Sequence, residues 1–237
     1  MLELSERQNR ILDILIKEYI KNAQPVSSEL LRKKLKMDIC PATVRIELQK
    51  LTDMGYIEQP HISAGRVPTN RGYRFFVDRL FELNHDLAME DFISQFGGIK
   101  EGIEDELKFV ESLTKIMASL SSGLVFTYLE DKDFLWKDGW KEVFQNPEFK
   151  EPDFLNGFME ATDCLEKRIK EIPANAEIQV FIGDEEPFLK SENLSLIVSR
   201  TKFPGEQGIM AILGPNRMTY NKNISLINSL VKELENF

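Results

Sequence analysis

The sequence predicts an α+β protein: a winged helix-turn-helix at the N-terminus, then a second domain built on an antiparallel sheet with flanking helices. Three observations carry that prediction. Four helical segments and a glycine-tipped hairpin fill residues 1–80, strand-like runs succeed one another between residues 177 and 213 without helical periodicity, and charge divides unevenly along the chain. Residues 1–80 hold 14 Lys and Arg against 10 Asp and Glu, net +4, whereas residues 81–237 hold 16 against 29, net −13, giving the formal −9 overall. A basic head on an acidic body suits a molecule that presents one face to phosphate and keeps the rest away from it.

The first helix opens at Ser5, with Gln8 three positions on as a capping box, and Ile11, Leu12, Leu15, Ile16, Tyr19 and Ile20 give it an apolar face ending near Asn22. Pro25 breaks that pattern, and Ser27 caps a second, short helix carrying Leu30, Leu31 and Leu35 inward and a basic tail from Arg32 to Lys36. Ser27 and Ser28, at its start, are candidate phosphate contacts. The third helix begins at Pro41, in the first-turn position proline favours, and stops at Gly55. Val44, Leu48 and Leu51 share one face; Thr43, Ile46, Gln49 and Lys50 cover the other, with Arg45 on the flank. Such a face suits a major groove: Thr43 for a base or phosphate, Gln49 for a paired contact to adenine, Arg45 for guanine or phosphate. Taken alone, the same face is equally an ordinary solvated one.

The next twenty residues favour nucleic acid. Tyr56 to Gln59 reads as a strand, Pro60 to Arg66 as a hairpin tip and Val67-Pro68 as the return strand, which together make a wing. Gly65 is expected to let the chain turn tightly, Arg66 to enter a narrow minor groove, and His61 and Ser63 to meet phosphate. Thr69 caps a fourth helix bearing Arg71, Tyr73, Arg74 and Arg79, whose basic side is expected along the DNA backbone; Tyr73 is counted among the contacts with core as its alternative, and Phe76 and Val77 are assigned to the core.

The runs PVSSELL (25–31), CPATVRIELQKLTDMGYIEQ (40–59) and above all PHISAGRVPTNRGYR (60–74) resemble the N-terminal domain of the heat-inducible transcription repressor HrcA family. Farther on, DGWKEVFQNPEF (138–149), IQVFIGDEE (178–186), GIMAILGP (208–215) and NRMTY (216–220) resemble that family's GAF-like domain. The resemblance implies a dimer that represses chaperone operons such as groE and dnaK from an inverted-repeat operator, with a GroEL-type chaperonin as a partner. Two departures stand out. Cys40 occupies the helix-capping position where the family usually has Ser, and the chain is about a hundred residues short, the gap falling between residues 123–128 and Trp140, where relatives carry an inserted dimerisation domain.

In the second domain, helices are expected over 104–120, 153–169 and 224–234, and strands over 124–129, 177–182, 194–201 and 208–213. Residues 81–103, with Gly97-Gly98 inside, read as a linker or hinge helix region, so the domains run 1–80 and 104–237 on either side of it. Catalytic chemistry is not indicated. Cys40 and Cys164 stand far apart, the histidines are only His61 and His85, and Asp184-Glu185-Glu186 reads as a solvated turn, so no cofactor, metal or catalytic residue is assigned. Gly214 to Arg217 offers an anion a cradle without an established phosphate-loop spacing, and Trp136, Trp140 and Phe144 line either a ligand pocket or a core. The start of the chain lacks an export signal and no apolar run reaches membrane-spanning length, which implies the cytoplasm. Two other classes remain open: a winged-helix regulator whose second domain senses a small molecule, and a winged helix that binds protein rather than DNA.

Overall fold

Local signals in the first 83 residues build the elements the sequence announces. The computed structural model describes residues 4–35, 40–83, 87–102, 105–172, 178–185, 189 and 191–236; expectations resting on Lys36, His85, Glu104, Glu177 or Glu186 lie outside them. The chain divides into two units, Met1–Leu83 and Asn84–Phe237.

In the first unit, helix α1 (Glu6–Asn22) starts on the capping box: Ser5 Oγ accepts from the Gln8 amide at 3.3 Å, and the Ser5 amide donates to Gln8 Oε1 at 2.9 Å. Helix α2 (Ser28–Leu35) is capped by Ser27, whose Oγ accepts from the Leu30 amide at 3.2 Å. Helix α3 (Pro41–Asp53) ends in a Schellman motif, the Tyr56 amide bonding the Leu51 carbonyl and the Gly55 amide the Thr52 carbonyl, with Gly55 at φ +75°. Strands β1 (Ile57–Glu58) and β2 (Val67–Pro68) pair antiparallel, and Thr69 caps helix α4 (Asn70–Glu82) by accepting from the Gly72 amide. Ile11, Leu15, Leu31, Val44, Leu51, Phe76 and Val77 close a core among the three leading helices and α4.

The second unit is a five-stranded antiparallel sheet between helices. Its strands are β3 (Leu124–Leu129), β4 (Phe134–Asp138), β5 (Gln179–Ile182), β6 (Leu194–Phe203) and β7 (Glu206–Pro215), in the order β4-β3-β7-β6-β5. Helices α6 (Glu106–Ser121) and α9 (Tyr220–Glu235) cover one face, with α5 (Glu90–Gly102) packed on those two helices; α7 (Trp140–Val143) and α8 (Pro152–Arg168) cover the other. Every residue of β3 is buried, as a central strand sandwiched on both sides requires. The α+β architecture expected from the sequence is therefore the one observed.

Three expectations change. The linker helix region expected over 81–103 contains α5, but α5 is part of the second unit's core: its Phe92 and Phe96 are buried, Phe96 meeting Phe109 of α6 edge to face at 5.9 Å. Two ring anchors outweigh the poor helix propensity of Gly97-Gly98. Strand β4 is an element the sequence pattern does not announce. It pairs with β3 from Val125–Asp138 to Leu129–Phe134, placing Trp136 opposite Thr127 on the α6 face, while Trp140 packs on Phe158 of α8. Trp136 is thus on the opposite face of the sheet from Trp140 and Phe144, which pack together at 5.5 Å as part of an aromatic cluster. Finally, Gly214 to Arg217 holds no open anion site: Arg217 is engaged by Glu148 at 2.6 Å, and buried Asn216 accepts from Ser195 at 2.7 Å.

Candidate nucleic-acid interface

Helix α3 is bolted down from behind and left open in front. Val44, Leu48 and Leu51 are at most 5% exposed, whereas Arg45, Ile46, Gln49 and Lys50 are exposed, as the sequence expects. Glu47 is a buried carboxylate on the α1 side; Gln8 of α1 donates to it at 3.0 Å, with Arg7 and Lys50 nearby at 3.6 and 3.7 Å. The pairing offsets the desolvation of that carboxylate and fixes the rotation of α3 about its axis.

On the other flank of α3 lies a groove of about 380 Å³ lined by Ser27 and Ser28 at the start of α2, Arg45 and Gln49 of α3, and Ser63 to Arg66 of the wing. The groove exists because the wing base is sewn to the chain before α2. The Val26 amide donates to the Arg66 carbonyl at 2.8 Å and the Arg66 amide to the Val26 carbonyl at 2.9 Å, a one-residue antiparallel bridge at the base of the wing. Gly65 is required there for a different reason from the one expected. Its φ is ordinary, but a Cβ would stand 2.5 Å from the Val26 carbonyl carbon and oxygen. At the tip, Gln59 Nε2 donates to the carbonyls of Ile62 and Ala64 at 2.8 and 3.0 Å, which holds the loop open and leaves His61, Ile62 and Ser63 exposed.

Six of the expected contact residues thus share one groove: Ser27, Ser28, Arg45, Gln49, Ser63 and Arg66. Thr43 and Lys50 stand on the opposite flank of the same helix, toward α1, and His61 stands at the wing tip. Arg66 is not the projecting finger the sequence suggested: half-buried, it donates through Nε to Thr52 Oγ1 at 3.2 Å, braced against the end of α3. Tyr73 is a correction. At 3% exposure it belongs to the core beside Phe76 and Val77, and no duplex can reach it. Arg71 is exposed and stacks on the Tyr56 ring at 4.6 Å, while the partly exposed Arg74 pairs with Asp78 at 3.4 Å. Sequence reasoning missed the role of Asp53, whose carboxylate accepts from Gln49 Nε2 at 2.8 Å and orients that amide; the i, i+4 spacing was the available signal. Cys40 stands at the cap of α3 without the amide-accepting bond that a serine or threonine cap makes, but its sulfur hydrogen-bonds Thr43 Oγ1 at 3.7 Å. The Thr43 amide, then its hydroxyl and the Ala42 amide, hold the thiol below the usual cysteine pKa.

An open helix presenting Arg45, Gln49 and Lys50 beside a wing is the arrangement of a DNA-binding winged helix, and comparison with known families agrees. Residues 3–79 match the winged helix-turn-helix transcription repressor, HrcA DNA-binding model, and residues 52–224 match the HrcA protein C terminal domain. The chain belongs to the HrcA family. It is a family of transcription repressors rather than enzymes, and residues 3–79 are its DNA-binding domain. Among HrcA relatives, the heat-inducible transcription repressor HrcA of Clostridium acetobutylicum is 25% identical, with 99% of this chain and 98% of the relative covered. That of Natranaerobius thermophilus is 54% identical over 79 residues, 33% of this chain and 23% of the relative. The Clostridium alignment spans 337 positions against 237 residues here, so at least 100 have no counterpart in this HrcA chain. A solved structure described as a hypothetical protein shares the fold, with a TM-score of 0.79 at 18% identity over 99% of this chain and 98% of its own. No helix among the described residues is long and apolar enough to cross a membrane, and none of their His, Cys, Asp and Glu side chains gather as a metal cluster.

Proposed function

We propose that this HrcA-family chain represses heat-inducible genes by binding an inverted-repeat operator as a homodimer in the cytoplasm. Each α3 enters a major groove, with Arg45, Gln49 and Lys50 at base edges or phosphates. Ser27, Ser28 and Thr43 meet one phosphate strand, and His61 and Ser63 of the wing meet the other. Arg71 and Arg74 of α4 lie along the backbone, while Arg66 braces the wing against α3. The observation that carries this reading is the groove that gathers Ser27, Ser28, Arg45, Gln49 and the wing base on one flank of an α3 whose outer face is open.

Two-fold symmetry follows from needing two recognition helices about 34 to 36 Å apart to meet successive major-groove faces. A chaperonin of the GroEL type as inducer-linked partner is supported by the family resemblance alone. Selecting bound fragments from random duplex DNA tests the proposal: an inverted repeat with two like half-sites supports it, and fragments without shared sequence or symmetry refute it.

A further inference from the structure

The outermost arc of α3 is not polar. At 100° per residue, the buried Val44, Glu47, Leu48 and Leu51 centre on one side, and the opposite direction runs through Ala42 and Ile46, one turn apart. Both are exposed, Ile46 at 55%. Neither helix propensity nor packing calls for isoleucine there: a β-branched residue is a modest helix former, and a surface position that packs against nothing is better filled by Lys, Glu or Gln. Hydrogen-bonding side chains stand on either side of this short apolar stripe. Arg45 and Gln49 lie toward the groove, and Thr43 and Lys50 lie toward α1.

We propose that Ala42 and Ile46 read thymine C5-methyl groups in the major groove, which makes Ile46 a specificity-determining residue. The inference rests on the proposed DNA-binding role of α3. Thymine is the one base that presents a methyl group in the major groove, and that group is read by apolar contact, not by a hydrogen bond. An aliphatic side chain at the centre of the contact face, with donors on both flanks, excludes water from the methyl while the flanking residues read polar edges. Isoleucine suits this role because its χ1 is already stiff, so little rotamer freedom remains to be lost on contact. A docking face for protein is a poorer fit, since two isolated apolar side chains among Arg45 and Lys50 are far smaller than the patches that bind proteins.

The experiment uses the full chain and a duplex carrying the selected operator, with each thymine replaced in turn by deoxyuridine, which removes the methyl alone. At one or two positions per half-site the wild type loses about fourfold in affinity for each buried methyl. Ile46→Ala loses a comparable factor on the thymine duplex and is indifferent to uracil at those same positions; Ile46→Val falls between. Because Ile46 is exposed, its variants keep the thermal midpoint of the parent, which circular dichroism checks. Equal uracil effects on wild type and Ile46→Ala, or no uracil effect anywhere, overturn the assignment while leaving operator binding intact. A wild type that selects no sequence at all overturns both readings.

Discussion

Replacing Gly65 by alanine tests how the DNA-facing groove is built. The added Cβ would meet the Val26 carbonyl carbon and oxygen at 2.5 Å and the Pro25 carbonyl carbon at 2.8 Å, all backbone atoms that no rotamer change can move. Either the wing base or the chain before α2 must retreat, which breaks the two hydrogen bonds joining Val26 and Arg66. Each lost backbone bond costs about 1 kcal/mol and the overpacking adds about 1 to 3 kcal/mol, so Gly65→Ala should destabilise the first unit by roughly 3 kcal/mol or more. For a domain of some 80 residues that lowers the unfolding midpoint by about 10 °C or more. Thermal unfolding followed by circular dichroism reads the shift, and fluorescence anisotropy on operator DNA reads the accompanying loss of affinity. Gly97→Ala in α5 is the control: nothing stands within 4 Å of its added Cβ, and the better helix former should gain about 0.5 to 1 kcal/mol. A Gly65→Ala protein as stable and as tightly binding as its parent would refute the account of the groove.

Gln49→Ala should relax the preference at one base position in each half-site by about 1 to 3 kcal/mol and leave non-specific binding nearly unchanged, as titrations on operator and scrambled duplexes will show. Arg45→Ala should reduce the slope of log affinity against log salt by about 0.9 per protomer if Arg45 meets phosphate, whereas Arg66→Ala, removing a brace on Thr52, should lower affinity with little change in slope. Glu206 supplies a pH test for the second unit. Burial pushes its carboxyl up, but the Lys132 ammonium and the Lys132 and Asp131 amides more than offset this and leave the pKa below the ordinary value. A depressed folded-state pKa contributes stability that is present above the unfolded value and is lost as pH falls through the folded one. Glu206→Gln should therefore be less stable than wild type at neutral pH, with the difference closing on acidification below about pH 4.3; urea midpoints across pH will report it.

Signals confined to a few neighbouring residues were legible in the sequence. The Ser5–Gln8 box, proline at the start of α3, the Gly55 stop and the Val44-Leu48-Leu51 stripe each follow from local chemistry, and each is found where the sequence puts it. Interactions that join distant residues were not. Gly65 looks like a turn glycine until Val26 is laid against it, and Arg66 looks free until Thr52 captures it. Tyr73 shares a basic helix with Arg71 and Arg74, and only the packing of α4 against the rest of the unit turns it inward. The same holds for α5, where Gly97-Gly98 suggested a hinge helix and only Phe92 and Phe96 show that it is packed into the second unit. Strand β4 was hidden because Phe134, Leu135 and Trp136 fit a core cluster as well as an edge strand, until pairing with β3 separates the two.

Tethered cleavage addresses the central claim most directly. With Cys40 and Cys164 replaced by serine and Gln49→Cys carrying an iron-chelate cleavage reagent, the full chain is bound to its selected duplex. Strand scission should cluster in the major groove at two places one helical turn or a whole multiple of a turn apart, about 34 to 36 Å per turn. Scission spread evenly along the duplex, or confined to the minor groove, would contradict the claim that α3 is the element that reads the DNA.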